Sequence, residues 1–255
     1  MPASRIAQGL PRLLLHLGLA FALVPGWLLM RPGPSRRLRE QRFFARCLRA
    51  IGVELDVRGA PESGGGTLFV ANHISFTDVL ALAALLDAHF VAKADVANWP
   101  LIGTWARRLG TLFVDRADRR SAAAQAESLA KALASRADLV LFPEGTTSDG
   151  LSLLPFRSSL LEAARFARRV QPIALTYSDG ARRGYVGNES LVANLVRLAP
   201  HRATLRVEYL PPLDTVQPRD RKDLAMLLQE RISAARTPAR PTSIQPCDGE
   251  RTGTE

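Results

Sequence analysis

From residue 53 to residue 235 the chain alternates short apolar, β-prone runs with stretches patterned at helical spacing. No other feature restricts its fold so much. The strand-like runs fall at 53–58, 67–71, 89–92, 111–115, 139–142, 171–177 and 204–210, and helical patterns occupy 77–86, 100–109, 120–135, 157–168, 190–198 and 219–235. Several strand runs, such as Leu68-Phe69-Val70-Ala71, are apolar at consecutive positions and therefore need cover on both faces. The alternation predicts an α/β domain over residues 53–235, a central mixed sheet flanked by helices. With 47% hydrophobic residues in 255, enough surface can be buried to offset chain entropy, which excludes disorder of the whole chain. Residues 236–255 (RTPARPTSIQPCDGERTGTE) have almost no apolar character and read as a disordered tail.

Ahead of the domain, residues 1–52 read as a membrane-associating segment. Residues 13–30, LLLHLGLAFALVPGWLLM, carry no formal charge. As a helix they would extend ~27 Å, barely the thickness of a bilayer's hydrocarbon core. Pro25-Gly26 interrupts the run, and Trp27 suits an interface. A spanning helix and a shallow hairpin in one leaflet both fit, whereas Arg31-Pro32-Gly33-Pro34 makes a poor signal-peptide cleavage site. Residues 35–51 then place Leu38, Phe44, Leu48 and Ile51 near one helical face, with arginines on the others.

Charge points the same way. Lys and Arg total 34 against 24 Asp and Glu, a net +10, and Arg31, Arg36, Arg37, Arg39, Arg42, Arg46 and Arg49 cluster just after the apolar run. A basic segment joined to an apolar one implies an anionic membrane surface, on the cytoplasmic face, as partner. Nucleic acid is not implied, since no recognition motif accompanies the charge. The two cysteines, Cys47 and Cys247, give no disulfide framework and no metal site.

Three strings carry chemistry. Asn72-His73-Ile74-Ser75-Phe76-Thr77-Asp78 leaves a strand and enters a helix, where α/β proteins commonly place their sites. A carboxylate five residues on can take one ring N–H of the histidine, leaving the other nitrogen as a base. Ser75 through Asp78 also fits a helix capping box. Phe142-Pro143-Glu144-Gly145-Thr146-Thr147-Ser148 follows another apolar strand, and its Pro-Glu-Gly is equally good turn chemistry. Gly110-Thr111-Leu112-Phe113-Val114-Asp115-Arg116 ends a third strand with an arginine suited to phosphate or carboxylate.

In this order the strings resemble the glycerolipid acyltransferase family typified by 1-acylglycerol-3-phosphate acyltransferases. The block N-H-x-x-x-x-D matches Asn72, His73 and Asp78; G-x-x-F-x-x-R matches Gly110, Phe113 and Arg116; F-P-E-G-T-x-S matches Phe142 through Ser148. A fourth block, an apolar run around a proline, matches Val170 through Ala174. The resemblance implies transfer of a fatty acyl group from acyl-CoA or acyl-acyl-carrier-protein to the hydroxyl of a lysolipid. His73 would be the base and Asp78 its orienting partner. Asn72, Gly110, Phe113, Arg116, Phe142, Pro143, Glu144, Gly145, Thr146 and Arg157 would serve substrate binding. No metal and no resident cofactor are implied, because the thioester arrives as a substrate. The acceptor implied first is 1-acylglycerol-3-phosphate, giving phosphatidic acid.

One position departs from the pattern. Thr147 stands where members acting on lysophosphatidate usually carry arginine, and the block resembles a bacterial branch that includes lyso-ornithine-lipid acyltransferases. That acceptor, or another lysophospholipid, is the alternative within the family. The alternative from another class is a non-catalytic peripheral membrane-binding protein whose motifs are only structural turns.

Overall fold

The computed structural model describes residues 33–98, 102–114, 122–185, 191–198, 200–214 and 220–236, with Pro11, Leu14, Leu15 and Gly18 as isolated positions before them. Most of the apolar 13–30 run, Arg116, and residues 237–255 with Cys247 lie outside the described residues.

Among the described residues, eight strands form one mixed sheet. They are β1 (Val53–Arg58), β2 (Thr67–Ala71), β3 (His89–Lys93), β4 (Leu112–Val114), β5 (Leu139–Leu141), β6 (Arg169–Tyr177), β7 (Ala203–Tyr209) and β8 (Leu213–Asp214). Their order is β1-β7-β6-β2-β5-β3-β4, with β8 paired to β6. Every pairing is parallel except β6 with β7 and β6 with β8. The helices are α1 (Pro34–Ala50), α2 (Phe76–Leu85), α3 (Ile102–Arg108), α4 (Ala122–Ala134), α5 (Leu191–Leu198) and α6 (Arg221–Ala235). The mixed α/β architecture expected from the alternating pattern is the one observed.

Side-chain alternation along β2 explains the layering. Phe69 and Ala71 enter a core shared with Phe43, Phe44 and Leu48 of α1 and with Ala81 and Leu82 of α2. Leu68 and Val70 point the other way, into a core with Leu129 and Leu133 of α4 and Leu224, Leu228 and Ile232 of α6. All five residues of β2 are buried, as a strand covered on both faces must be. Burying one such large aliphatic side chain contributes about 1.5–3 kcal/mol.

Two expectations are corrected. The stretch predicted as a helix at 157–168 is a 3₁₀ segment, Ser158–Phe166. It is anchored at both ends, Arg157 N–H to Pro143 O at 2.9 Å and Arg168 N–H to Gly66 O at 2.8 Å. The larger 3₁₀ rise, ~2.0 Å per residue against ~1.5 Å, lets few residues reach between those anchors. Leu38 does not share the buried face of α1; it is 48% exposed, while Phe44, Leu48 and Ile51 are buried. At about 100° per residue it lies ~110° from the middle of that face.

Opposite the buried face, Arg39, Arg42, Arg46 and Arg49 form one exposed stripe. Arg36 and Arg37 are used differently. They pair with Glu40 at 2.9 and 3.2 Å, and Arg37 also reaches Asp87 and the Leu86 carbonyl. The junction of α1 with β1 is pinned by Arg183, fully buried in the 3₁₀ turn Gly180–Arg183 after β6. Its guanidinium bonds Asp179 at 2.9 Å, His201 O at 3.1 Å and Ile51 O at 3.4 Å. Cys47 is a free, buried thiol, and burial pushes it up to about 12, so it stays protonated and unreactive. No helix among the described residues is long and apolar enough to cross a membrane.

Candidate active site

Strands β2, β5 and β6 are adjacent and parallel, so their carboxyl ends lie together. The chain leaves β2 for one flank of the sheet and reaches β6 on the other, a switch point of the kind at which α/β sheets bind ligands. Asn72 and His73 follow β2, Phe142 through Glu144 follow β5, and Tyr177 ends β6.

His73 and Asp78 meet here. His73 Nδ1 lies 2.9 Å from Asp78 Oδ2. The Asp78 side chain has no exposure, whereas that of His73 retains 16%. Both local readings of the sequence hold at once. Asp78 Oδ2 also accepts Ser75 N–H at 2.9 Å and Ile74 N–H at 2.6 Å, completing the capping box that starts α2. The same helix start that stabilises α2 therefore fixes the carboxylate beneath the imidazole. Donation from Nδ1 to Asp78 sets the tautomer and leaves Nε2 with a free lone pair on a part-exposed ring. The ring stacks on Phe142, centroids 4.1 Å apart and planes inclined 17°.

Glu144 braces this arrangement from the neighbouring strand end. Its Oε1 accepts His73 N–H at 2.6 Å and its Oε2 accepts Leu154 N–H at 2.9 Å. Ser148 N–H adds a bond to His73 O at 2.8 Å. The β2 and β5 loops are thus held together by two hydrogen bonds at His73, and the Leu154 bond fixes Glu144 within its own loop. Glu144 is 2% exposed. Burial raises its carboxyl above the ordinary range, and the two backbone donors, with His73 and Arg236, oppose that rise.

Two residues expected at the substrate are instead used by the scaffold. Asn72 has no exposure; its Nδ2 donates to Leu175 O at 3.1 Å and its Oδ1 accepts Leu175 N–H at 2.8 Å. It imitates one more residue of the β2–β6 ladder, with no polar atom left for a ligand. Glu144 likewise has both oxygens accepting backbone donors, which shapes the loop.

The remaining positions divide. Pro143 is buried, Gly145 half-buried with φ 77° in the turn, and Thr146 and Arg157 exposed on the β5 loop. Gly110 and Phe113 belong to the β3–β4 edge, two to three strands from β2. Gly110, at φ 72°, passes so close beneath the His89 ring that a side chain there would collide with it. That glycine is required by packing. Arg116 falls outside the described residues. Thr147 turns its hydroxyl to the Tyr185 carbonyl.

Sequence reasoning missed two residues. Tyr177 donates its phenol to Asp78 Oδ1 at 2.7 Å and lies 2.6 Å from Thr77 Oγ1. Arg236, assigned by composition to the tail, caps α6 and donates Nη2 to Gly150 O at 2.6 Å. Glu144, Asp149 and Asp78 all act on its charge. Its place at the end of a strand run was the available sign of Tyr177; nothing in the sequence singles out Arg236.

Comparison with known proteins identifies a family and a fold. A family model described as Acyltransferase matches residues 54–176, which span every residue of the dyad and its brace. The chain is 36% identical to the lyso-ornithine lipid O-acyltransferase of Pseudomonas aeruginosa over 87% of its own length and 89% of that protein. It is 33% identical to the 1-acyl-sn-glycerol-3-phosphate acyltransferase of Neisseria meningitidis, covering 73% of this chain and 76% of that one. Its fold is similar to the crystal structure of a 1-acyl-sn-glycerophosphate acyltransferase from Thermotoga maritima, with TM-score 0.66, 21% identity, and 90% and 95% of the two chains covered.

Proposed function

This chain belongs to the acyltransferase family and is an O-acyltransferase, and we propose that it acylates a lysolipid hydroxyl with His73 as general base. The observation that carries the mechanism is the 2.9 Å contact between His73 Nδ1 and a fully buried Asp78, with the imidazole alone of the pair part-exposed. A hydroxyl is a weak nucleophile at neutral pH, so its proton must leave as the oxygen attacks. His73 Nε2 takes that proton while the oxygen adds to the thioester carbonyl. The tetrahedral adduct then collapses with release of the thiolate, which recovers the proton from the imidazolium. Asp78 stabilises the charge on the ring between the two steps. Such general-base help contributes about 10²–10⁴-fold.

The donor is acyl-CoA or acyl-acyl-carrier-protein, and the reaction needs no metal and no resident cofactor. On the acceptor side, 1-acylglycerol-3-phosphate is the first reading. Thr146 and Arg157, exposed on the β5 loop, together with Arg116, are left to meet its head group. One observation favours lyso-ornithine lipid as a second. Thr147 supplies no cation at the position where a phosphate-reading arginine is usual, and its hydroxyl is committed to a backbone carbonyl.

The protein works at the cytoplasmic face of a membrane. Support comes from the exposed stripe Arg39, Arg42, Arg46 and Arg49, which suits anionic lipid, and from the apolar 13–30 run that precedes it in the sequence.

Purified full-length protein incubated with each donor and a panel of lysolipids, with products weighed by mass spectrometry, tests the reading. Acylated product should appear with wild type and vanish with His73→Ala. Lipid binding without thioester consumption would overturn it in favour of a non-catalytic membrane protein. Thr147→Arg should raise the preference for lysophosphatidate over lyso-ornithine lipid. An unchanged ratio would remove position 147 from head-group reading.

A further inference from the structure

We propose that Tyr177 is a positioning residue of the acyl-transfer site, its phenol fixing the Asp78 carboxylate that in turn fixes His73. The proposal rests on His73 acting as the base, as read above.

The inventory of Asp78 is uneven between its two oxygens. Oδ2 receives three donors: His73 Nδ1 at 2.9 Å, Ile74 N–H at 2.6 Å and Ser75 N–H at 2.9 Å. Oδ1 receives one among the described residues, the Tyr177 hydroxyl at 2.7 Å. Asp78 has no exposure, so no solvent substitutes for a missing donor. Three of the four donors are local, within five residues of Asp78. The fourth comes from 99 residues away, at the end of β6. Tyr177 is therefore the contact through which the sheet joins the helix cap in setting the tilt of the carboxylate.

The direction of the chain is fixed by proton count. The phenol has a single proton, which goes to Asp78, so Thr77 Oγ1 at 2.6 Å must donate its own to the phenol oxygen. Thr77 donates to Tyr177, and Tyr177 and His73 both donate to Asp78, where the series converges. Burial and the neighbouring carboxylate raise the Tyr177 hydroxyl well above its ordinary range, so it stays a donor at any pH where the protein works.

A satisfied core tyrosine would predict only lost stability on removal of the hydroxyl. A positioning role predicts more, because Tyr177→Phe leaves Asp78 Oδ1 with no donor. The carboxylate then holds a proton more readily, or favours a proton on His73; either outcome removes the free base at a higher pH than in wild type. The other charges acting on this group are Glu144 from the β5 loop, Arg236 from the end of α6, and Arg183, which bears on Tyr177. All three stay in place in the variant.

The test is steady-state kinetics of full-length wild type, Tyr177→Phe, Thr77→Val and His73→Ala against the same lysolipid panel across pH, with melting temperatures measured alongside. Tyr177→Phe should lose about ten-fold in kcat, with KM for donor and acceptor within about two-fold. The acid limb of its pH profile should move up by about one unit. Thr77→Val, which removes only the donor behind the phenol, should lose about two- to three-fold in kcat with a smaller shift of the same sign. A Tyr177→Phe enzyme with wild-type kcat and acid limb, or one whose loss lies in KM, overturns the proposal. If that variant fails to fold, a Thr77→Val enzyme with unchanged kcat and acid limb overturns it. An inactive His73→Ala beside a fully active Tyr177→Phe sinks this proposal alone. An active His73→Ala sinks the base assignment beneath it.

Discussion

The cluster around Asp78 and the cluster around Arg183 are built from the same materials. Each buries one charged side chain completely, pairs it at 2.9 Å, and finishes its remaining valences on nearby polar groups, mostly of the main chain. They differ in what is left over. Arg183 spends its guanidinium on Asp179, Ile51 O and His201 O, all inside the fold, and ties the α1–β1 joint to the end of β6. Around Asp78 every donor also points inward, but the partner being held is an imidazole that stays part-exposed. A buried charge by itself does not mark function. It does so where the group it orients keeps a reactive atom outside the network.

The comparison is broken most directly at His73. Replacing it by alanine should lower kcat by about 10²–10⁴-fold while circular dichroism and melting temperature stay near wild type. An enzyme keeping a third of wild-type kcat would place this cluster beside Arg183 as scaffold. The reverse holds for Arg183→Met. It should cost about 1–3 kcal/mol of unfolding free energy in chemical denaturation, because the half-buried Asp179 and the Ile51 and His201 carbonyls lose their donor. Kcat per folded molecule should not change. Adding Asp179→Asn should recover a large part of the stability, and a loss of turnover in a stable Arg183→Met protein would erase the distinction.

Glu144 lies between the two types, so Glu144→Gln should show both effects at moderate size. Glutamine keeps one acceptor oxygen but turns an amide donor toward either His73 N–H or Leu154 N–H. A loss of about 1–3 kcal/mol and roughly ten-fold in kcat follows. Its pH signature has a definite sign. The carboxyl is raised in the folded chain, so the native state holds that proton longer than the unfolded state does. Its contribution to stability is therefore fullest at low pH and declines as pH rises from the ordinary carboxylate range through the raised value. Melting curves of wild type and Glu144→Gln across that window should converge toward high pH; parallel curves would contradict the shift.

Which parts of this could be read before the fold was known follows from distance along the chain. His73 and Asp78 are five residues apart, and a strand exit followed by a helix start brings such a pair together by local geometry alone. The alternating pattern likewise located the strands, because burial on two faces leaves an imprint in consecutive residues. The role of Glu144 was hidden, because Pro-Glu-Gly reads as an exposed turn. Only the register of β2 against β5 brings that carboxylate under His73 N–H, 71 residues away. Asn72 looked like a ligand-binding residue for the same reason. Its ladder-like bonds to Leu175 depend on β6 lying beside β2. Arg236 needed the packing of α6 as well.

The smallest effect concerns α1. Changing Arg39, Arg42, Arg46 and Arg49 to glutamine should weaken binding to anionic vesicles by up to about 1 kcal/mol per residue and flatten its salt dependence, with stability unchanged. Changing Arg36 and Arg37 should do the opposite, lowering stability through Glu40 and Asp87 with little effect on vesicles. Identical behaviour of the two sets in a flotation assay would show that burial on α1 does not sort its arginines by task.

The long reach of β6 also bears on how the molecule comes into being. Asn72 waits for Leu175, and Asp78 waits for Tyr177, contacts separated by 103 and 99 residues. Closing loops of that length is slow compared with forming the α2 cap, which needs only neighbours. During synthesis the His–Asp pair therefore exists as a loose local turn long before the strand that steadies it has emerged. A nascent chain ended before residue 177 carries the catalytic letters and lacks the enzyme. Turnover should appear late in refolding, in step with docking of the β6 edge and after helical signal has returned.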